Sequence, residues 1–195
     1  MWLSVIAGTD GFDTQFVNCI SSLCDTRQRI AAMPANKMGY ERILFMDSDI
    51  IITDNSPDLF ALVPDDRFGA WFVNPMIPGR FAENIAHVQA ALGRIGWVSG
   101  YFNSGVMVLS RAHRSIFEDP QDYSDMFFEQ TLLNYRVQAG RYLTFDLGYR
   151  WNHTCAVFSD RRLHSYFIHY AGPGHIRGMS RAEQIRTDLG ALGKL

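Results

Sequence analysis

Two carboxylates separated by one residue stand inside the most apolar stretch of the chain, the run RILFMDSDIII over residues 42–52. In an extended strand Asp47 and Asp49 point to the same face, because side chains alternate with a period of two. Held that close they repel by about 1–4 kcal/mol near a surface, so the pair calls for a cation between them. Hard divalent ions, Mn2+ or Mg2+, meet that need and can bridge the phosphates of a substrate. The competing reading is an acidic turn capping the next helix, but a cap uses one carboxylate. Far downstream, FIHYAGPGH (167–175) ends an apolar segment on His169. A histidine among aromatic residues is by default a packing residue. Brought against two carboxylates, its imidazole completes an O,O,N donor set suited to Mn2+. Between these segments, FNSGVMVL (102–109) puts Asn103 and Ser104 at the mouth of an apolar strand, with Gly105 allowing the backbone to approach a ligand. FEQTLLN (128–134) places Glu129 and Gln130 at the start of a helical segment. Taken alone, these two segments read as a polar turn and a solvated helix face.

The elements that must position these residues follow from apolar periodicity. Residues 2–7 (WLSVIA) read as a buried strand ending at Gly8. Phe16, Val17, Ile20 and Leu23 then form a helix face, with Asp13 or Thr14 as its cap. Residues 27–38 read as helical, and 42–52 as one long strand followed by a turn through Asp54, Asn55 and Pro57 into a short helix. Further strands are expected over 68–73, 101–110, 142–147 and 165–171, and helices over 82–93 and 122–139. Residues 178–195 form a C-terminal helical tail. Strands alternating with helices indicate a single α/β domain over residues 1–195, with a mainly parallel sheet flanked by helices. The paired carboxylates then project into the crevice at the carboxyl ends of the strands, where such sheets bind ligands.

Composition narrows the classes. The chain has 195 residues, 47% hydrophobic and 13% aromatic, far from a disordered composition. Its 18 basic and 20 acidic side chains leave a net charge of −2, which argues against binding nucleic acid by bulk electrostatics. No apolar run reaches the ~18 residues of a membrane span, and no basic segment precedes the first apolar stretch as in a signal peptide. Three cysteines without a CxxC pair suggest neither a disulfide framework nor a zinc site, so a reducing cytoplasm is expected. Arg177, Arg181, Arg186 and Lys194 are interspersed with acids. A solvated helix is the favoured reading of that tail, and peripheral membrane contact the weaker one.

In order, the segments VIAGTDGFDTQF, LFMDSDIII, YFNSGVMVL, EQTLLN, GYRWNHT and HYAGPGHIR resemble the glycosyltransferases of family 8, which includes glycogenin and the bacterial lipopolysaccharide galactosyltransferases. That family's order is a strand followed by Asp, then DxD, FN(A/S)GV, DQxxLN, an (L/Y)R(W/F)N segment and HYxGxxKPW. The match spans roughly residues 3–177. It implies a GT-A (Rossmann-like) fold and a retaining transfer of a hexosyl group from a nucleotide sugar, usually a UDP-sugar, to a saccharide or glycoconjugate acceptor. It also implies Mn2+ or Mg2+ held by Asp47, Asp49 and His169. By the same resemblance Thr9 and Asp10 contact the nucleoside, Ser48 belongs to the metal-diphosphate loop, and Asn103, Ser104 and Gly172 face donor sugar or acceptor. Asn152 lines the acceptor side. Gln130 lies near the reacting anomeric carbon, and Glu129, standing for the family's Asp, binds sugar hydroxyls. A basic residue near the diphosphate aligns loosely with Arg27. The sequence departs from the family in two places. His175 replaces the lysine that neutralises the diphosphate, with Arg177 two residues on as a substitute. Only 36 residues separate Asp10 from Asp47, so the sheet is trimmed on one edge. Two other readings stand beside this one. A phosphohydrolase of the haloacid-dehalogenase type would use Asp47 as nucleophile, but it expects Thr or Val where Ile51 stands. A non-catalytic sugar-nucleotide or carbohydrate-binding domain would fit the shortened half and His175.

Overall fold

The computed structural model describes residues 2–7, 19–20, 41–117 and 129–194. The expected helix over 27–38 lies outside these residues, as does most of the one over 13–23; where that segment is described, Ile20 is not on a helix face but in the strand Cys19–Ile20, drawn there by antiparallel pairing with residues 2 and 3.

The centre of the molecule is β3 (Arg42–Asp47), whose Ile43, Leu44, Phe45 and Met46 are all buried. Alternation sends Ile43 and Phe45 into one apolar cluster and Leu44 and Met46 into another, so both faces of the strand are covered. The neighbouring β6 (Phe102–Ser110) does the same, with Met107 and Leu109 on the first side and Val106 and Val108 on the second. The first cluster is closed by Leu133 and Val137 of the helix Glu129–Ala139 and by Ile116 of the 3-10 turn Arg111–Phe117. The second is closed by the short helix Leu59–Leu62, by Trp151, and by Phe167. A third cluster packs the helix Ala82–Leu92 through Ile85 and Val88 against Trp71, Trp97 and Tyr101.

Around these lie β1 (Trp2–Ala7), β2 (Cys19–Ile20), β5 (Phe68–Phe72) and β7 (Thr144–Asp146), giving a six-stranded sheet in the order β2-β1-β3-β6-β5-β7. The architecture is α/β, as the alternation of strands and helices indicates, but the sheet is not mainly parallel. Among its described pairings only β5–β7 is parallel, whereas β1–β2, β1–β3, β3–β6 and β5–β6 are antiparallel. One reason is that β1 runs opposite to both β2 and β3, and the other is the direction of β6. It enters reversed between β3 and β5, which run the same way, and so turns one parallel relationship into two antiparallel ones.

The second correction concerns the long run over 42–52. It is not one strand: β3 ends at Asp47, Ser48 and Asp49 make a turn, and β4 (Ile50–Ile52) leaves the large sheet. β4 pairs antiparallel with β8 (Phe167–His169) in a separate ribbon, with Ile50 opposite His169 and Ile52 opposite Phe167. The C-terminal helix Arg181–Ala191 begins at the Ser180 cap, where Ser180 and Glu183 form a reciprocal capping box. The fully buried Asp188 fastens it, accepting from Arg162 at 2.7 and 2.8 Å and from the Tyr170 hydroxyl at 2.6 Å. No helix among the described residues is long and apolar enough to cross a membrane.

Candidate metal centre

Three chain segments meet at the carboxyl end of β3. Asp47 is its last residue, Asp49 is the second residue of the turn, and the β4–β8 pairing carries His169 back across more than a hundred residues to face them. His169 Nε2 lies 3.4 Å from Asp47 Oδ2 and 3.3 Å from Asp49 Oδ1. One ligand atom from each of the three residues falls within 4.8 Å of the others. The imidazole is 3% exposed and Asp49 is buried, while Asp47 is half-buried and leaves the centre open to solvent on its side.

The orientation of His169 is set by a relay of amides. The Gly105 N–H donates to Asn103 Oδ1 at 3.0 Å, which also accepts from Asn152 Nδ2 at 2.7 Å. Asn152 is thereby turned so that its Oδ1 accepts from His169 Nδ1 at 2.7 Å. With the hydrogen on Nδ1 committed to this amide, Nε2 is the ring nitrogen that faces the carboxylates, the arrangement that orients a metal-ligating histidine. Asn152 is fully buried. The resemblance places it on the acceptor side, but in the structure it contacts the imidazole, not solvent. Asn152→Ala is expected to weaken Mn2+ binding by about 10–100-fold, as loss of an outer-shell partner does, with calorimetric titration as the check.

Gly105 has a different reason from the one its sequence suggested. A Cβ built there would stand 2.3 Å from His169 Cε1 and 2.6 Å from its Nδ1. The glycine makes room for the imidazole rather than for a ligand.

Charge explains the remaining contacts. Burial alone would lower the His169 pKa, but hydrogen bonding and charge from Asp47 and Asp49 reverse this and push it up to about 9. Burial would likewise raise the Asp49 carboxyl, yet His169 and Arg181 outweigh it and hold Asp49 below its ordinary range. Arg181 Nη1 is 3.0 Å from Asp49 Oδ2. Asp49 Oδ1 is buried, and its contact is the imidazole Nε2 at 3.3 Å, a long one for a hydrogen bond. A buried carboxylate oxygen held this loosely is costly. Together with an oxygen, oxygen, nitrogen donor set, it is what a site for a hard or borderline divalent cation would present.

The other residues expected in the site separate into groups. Ser104 lies at the mouth of β6 and donates through its N–H to Gln130 Oε1 at 3.1 Å, with its hydroxyl 3.4 Å from the same atom. Gln130 is brought there by Asn134, whose Oδ1 accepts from the Phe102 N–H at 2.7 Å while its Nδ2 donates to Phe102 O and Gln130 O. Glu129 opens the same helix and is half-buried. Ser48, Gly172 and Arg177 are exposed. His175 does not stand in for a lysine. Its Nε2 donates to His169 O at 3.0 Å, its ring packs edge-on to His153 and Tyr170, and burial brings its pKa down to about 4, so it is neutral near pH 7. Thr9, Asp10 and Arg27 lie outside the described residues. Arg181 and Asn134 belong to the surroundings of the site but carry no strong sequence signal: the first opens an ordinary capped helix, and the second is one polar residue on a buried helix face.

No family model, curated protein or solved structure matches the chain.

Proposed function

We propose that the chain is a metal-dependent, retaining glycosyltransferase that moves a hexosyl group from a nucleotide sugar, a UDP-sugar, to a saccharide or glycoconjugate acceptor on a GT-A-type domain. The observation that carries this reading is the meeting of Asp47, Asp49 and His169 at the carboxyl end of a central strand, with Ser104 and Gln130 at the mouth of the neighbouring strand. The order of motifs along the sequence supports the same reading.

Asp47, Asp49 and His169 would hold Mn2+ or Mg2+, which supplies Lewis-acid stabilisation of a departing nucleoside diphosphate. Asp47, the most exposed of the three, marks the side from which a diphosphate would reach the centre. Asn103 and Asn152 keep the imidazole nitrogen turned toward the carboxylates. The Gln130 amide is neutral and therefore a poor nucleophile, and its Oε1 is already engaged by Ser104. It fits a role in positioning sugar hydroxyls, with Glu129 beside it, while the acceptor attacks on the face the diphosphate leaves.

The test is a panel of UDP-sugars offered to the purified chain in Mn2+, with released UDP as the readout. UDP release that a chelator abolishes is the expected result. Tight UDP binding without release from any sugar nucleotide would instead make this a binding domain, and release of orthophosphate from an aryl phosphate would point to hydrolase chemistry.

A further inference from the structure

Asp49 is held from two sides. Opposite His169, its Oδ2 meets Arg181 Nη1 at 3.0 Å, and Arg181 Nη2 reaches Gly172 O at 3.4 Å. The guanidinium keeps its charge at any pH the fold tolerates, so from Oδ2 it draws permanently on the carboxylate charge that a cation on Oδ1 would use. Its backbone is well anchored by the Ser180–Glu183 capping box. Further anchors are Gln184, bonded to Pro173 O, Met179 O and the Ile176 N–H, and Asp188 on Arg162 and Tyr170. The Arg181 side chain, by contrast, is 48% exposed and joined to that frame by rotatable bonds. Among the described residues no other lysine or arginine pairs with Asp47 or Asp49, and the His175 ring is committed to His169 O.

We propose that Arg181 is the anion-binding side chain of this centre, closing on Asp49 when no divalent ion is bound and turning to the phosphate oxygens of a nucleoside diphosphate when one is. A divalent ion on Asp49 Oδ1 draws off the negative charge that holds the guanidinium on Oδ2 and loosens that pair, leaving a cation in need of a second partner. A diphosphate supplies the matching negative charge, and its oxygens fit the planar fork of arginine. Metal and anion then bind with positive coupling, each raising the affinity of the other. The identity of the anion rests on the nucleotide-sugar reading, whereas the competition for Asp49 does not.

The experiment titrates wild type, Arg181→Gln, Arg181→Lys and the charge-matched control Arg186→Gln by calorimetry. Mn2+ is titrated alone, followed by UDP and inorganic pyrophosphate at saturating Mn2+. Arg181→Gln is expected to bind Mn2+ alone several-fold more tightly and to bind both UDP and pyrophosphate about tenfold more weakly, the scale of one lost charge-assisted pair. Arg181→Lys should fall between, and Arg186→Gln should match wild type. The proposal is overturned if Arg181→Gln keeps wild-type affinity for both anions, if its affinity for Mn2+ alone drops, if Arg186→Gln shows the same losses, or if wild type binds neither anion in Mn2+. Arg181-dependent binding of pyrophosphate without binding of UDP supports the anion site and overturns the nucleotide reading instead.

Discussion

Gly105→Ala is expected to weaken divalent-cation binding by about two orders of magnitude while leaving the chain folded. The added methyl would lie 2.3 Å from His169 Cε1, 2.6 Å from its Nδ1 and 2.9 Å from Asn103 Oδ1, distances no Cβ tolerates. β6 cannot yield easily, because Val106, Met107, Val108 and Leu109 beyond Gly105 are buried between two layers. The imidazole must move, and moving it breaks the 2.7 Å bond to Asn152 and takes Nε2 away from Asp47 and Asp49. Overpacking of this kind costs about 1–3 kcal/mol, which a chain of this size survives. Affinity for Mn2+ should fall by about 100-fold or more, at or beyond the upper end of what outer-shell changes produce. Calorimetric titration paired with a urea unfolding curve checks both halves. Unchanged Mn2+ affinity in a folded Gly105→Ala variant would remove His169 from the ligand set.

The metal-free chain is expected to lose about 3 kcal/mol of stability as pH rises from about 6.5 to about 9, from the upward shift of His169 alone. A group whose folded pKa is raised contributes fully below its unfolded value, and the contribution disappears as pH climbs through the folded value. Protonated His169 is favoured by Asp47 and Asp49, and at high pH that attraction is gone. Asp49 behaves in the opposite sense. Its pKa is lowered, so its contribution is present above the ordinary carboxylate range and is lost only as pH falls through the depressed value. Unfolding in urea with a chelator present, on wild type and His169→Gln at matched pH, isolates the first effect as the difference between the two proteins. Identical pH profiles would mean that the imidazole carries no proton between the carboxylates. With Mn2+ present the dependence should reverse, because the ion must displace that proton and binds better as pH rises.

Local pattern made much of this architecture readable. The strand at 2–7 falls where its apolar run predicts, and β5, β6 and the helices Ala82–Leu92 and Glu129–Ala139 lie within the segments that periodicity marks. The acidic pair and His169 were also legible, since a doubled carboxylate among apolar residues and an imidazole ending a strand are local anomalies. The turn at Ser48–Asp49 was not. Ile50 to Ile52 are as good a strand continuation as any, and only pairing with β8 draws them off the large sheet. The reversal of β6 was hidden for a related reason, because alternation records which faces are buried and not which way a strand runs. Gly105 and Arg181 act through contacts with residues 64 and 132 positions away, and neither residue type announces a partner at that distance. Asn152 sits within a motif yet is buried against His169, so its use is set by the tertiary fold.

Asp47 belongs to the large sheet, whereas His169 belongs to the small ribbon and Asp49 opens it. The bite of the three donors is therefore set by the separation of two sheets that the chain links here through the two-residue turn Ser48–Asp49. Any twist of the ribbon about that joint widens or narrows the coordination cage without a change of rotamer. Discrimination between ions of different radius would consequently be tuned by residues that brace the ribbon, such as Thr53 on Ser165 O and Ser56 on Tyr166 O, well away from the donors themselves.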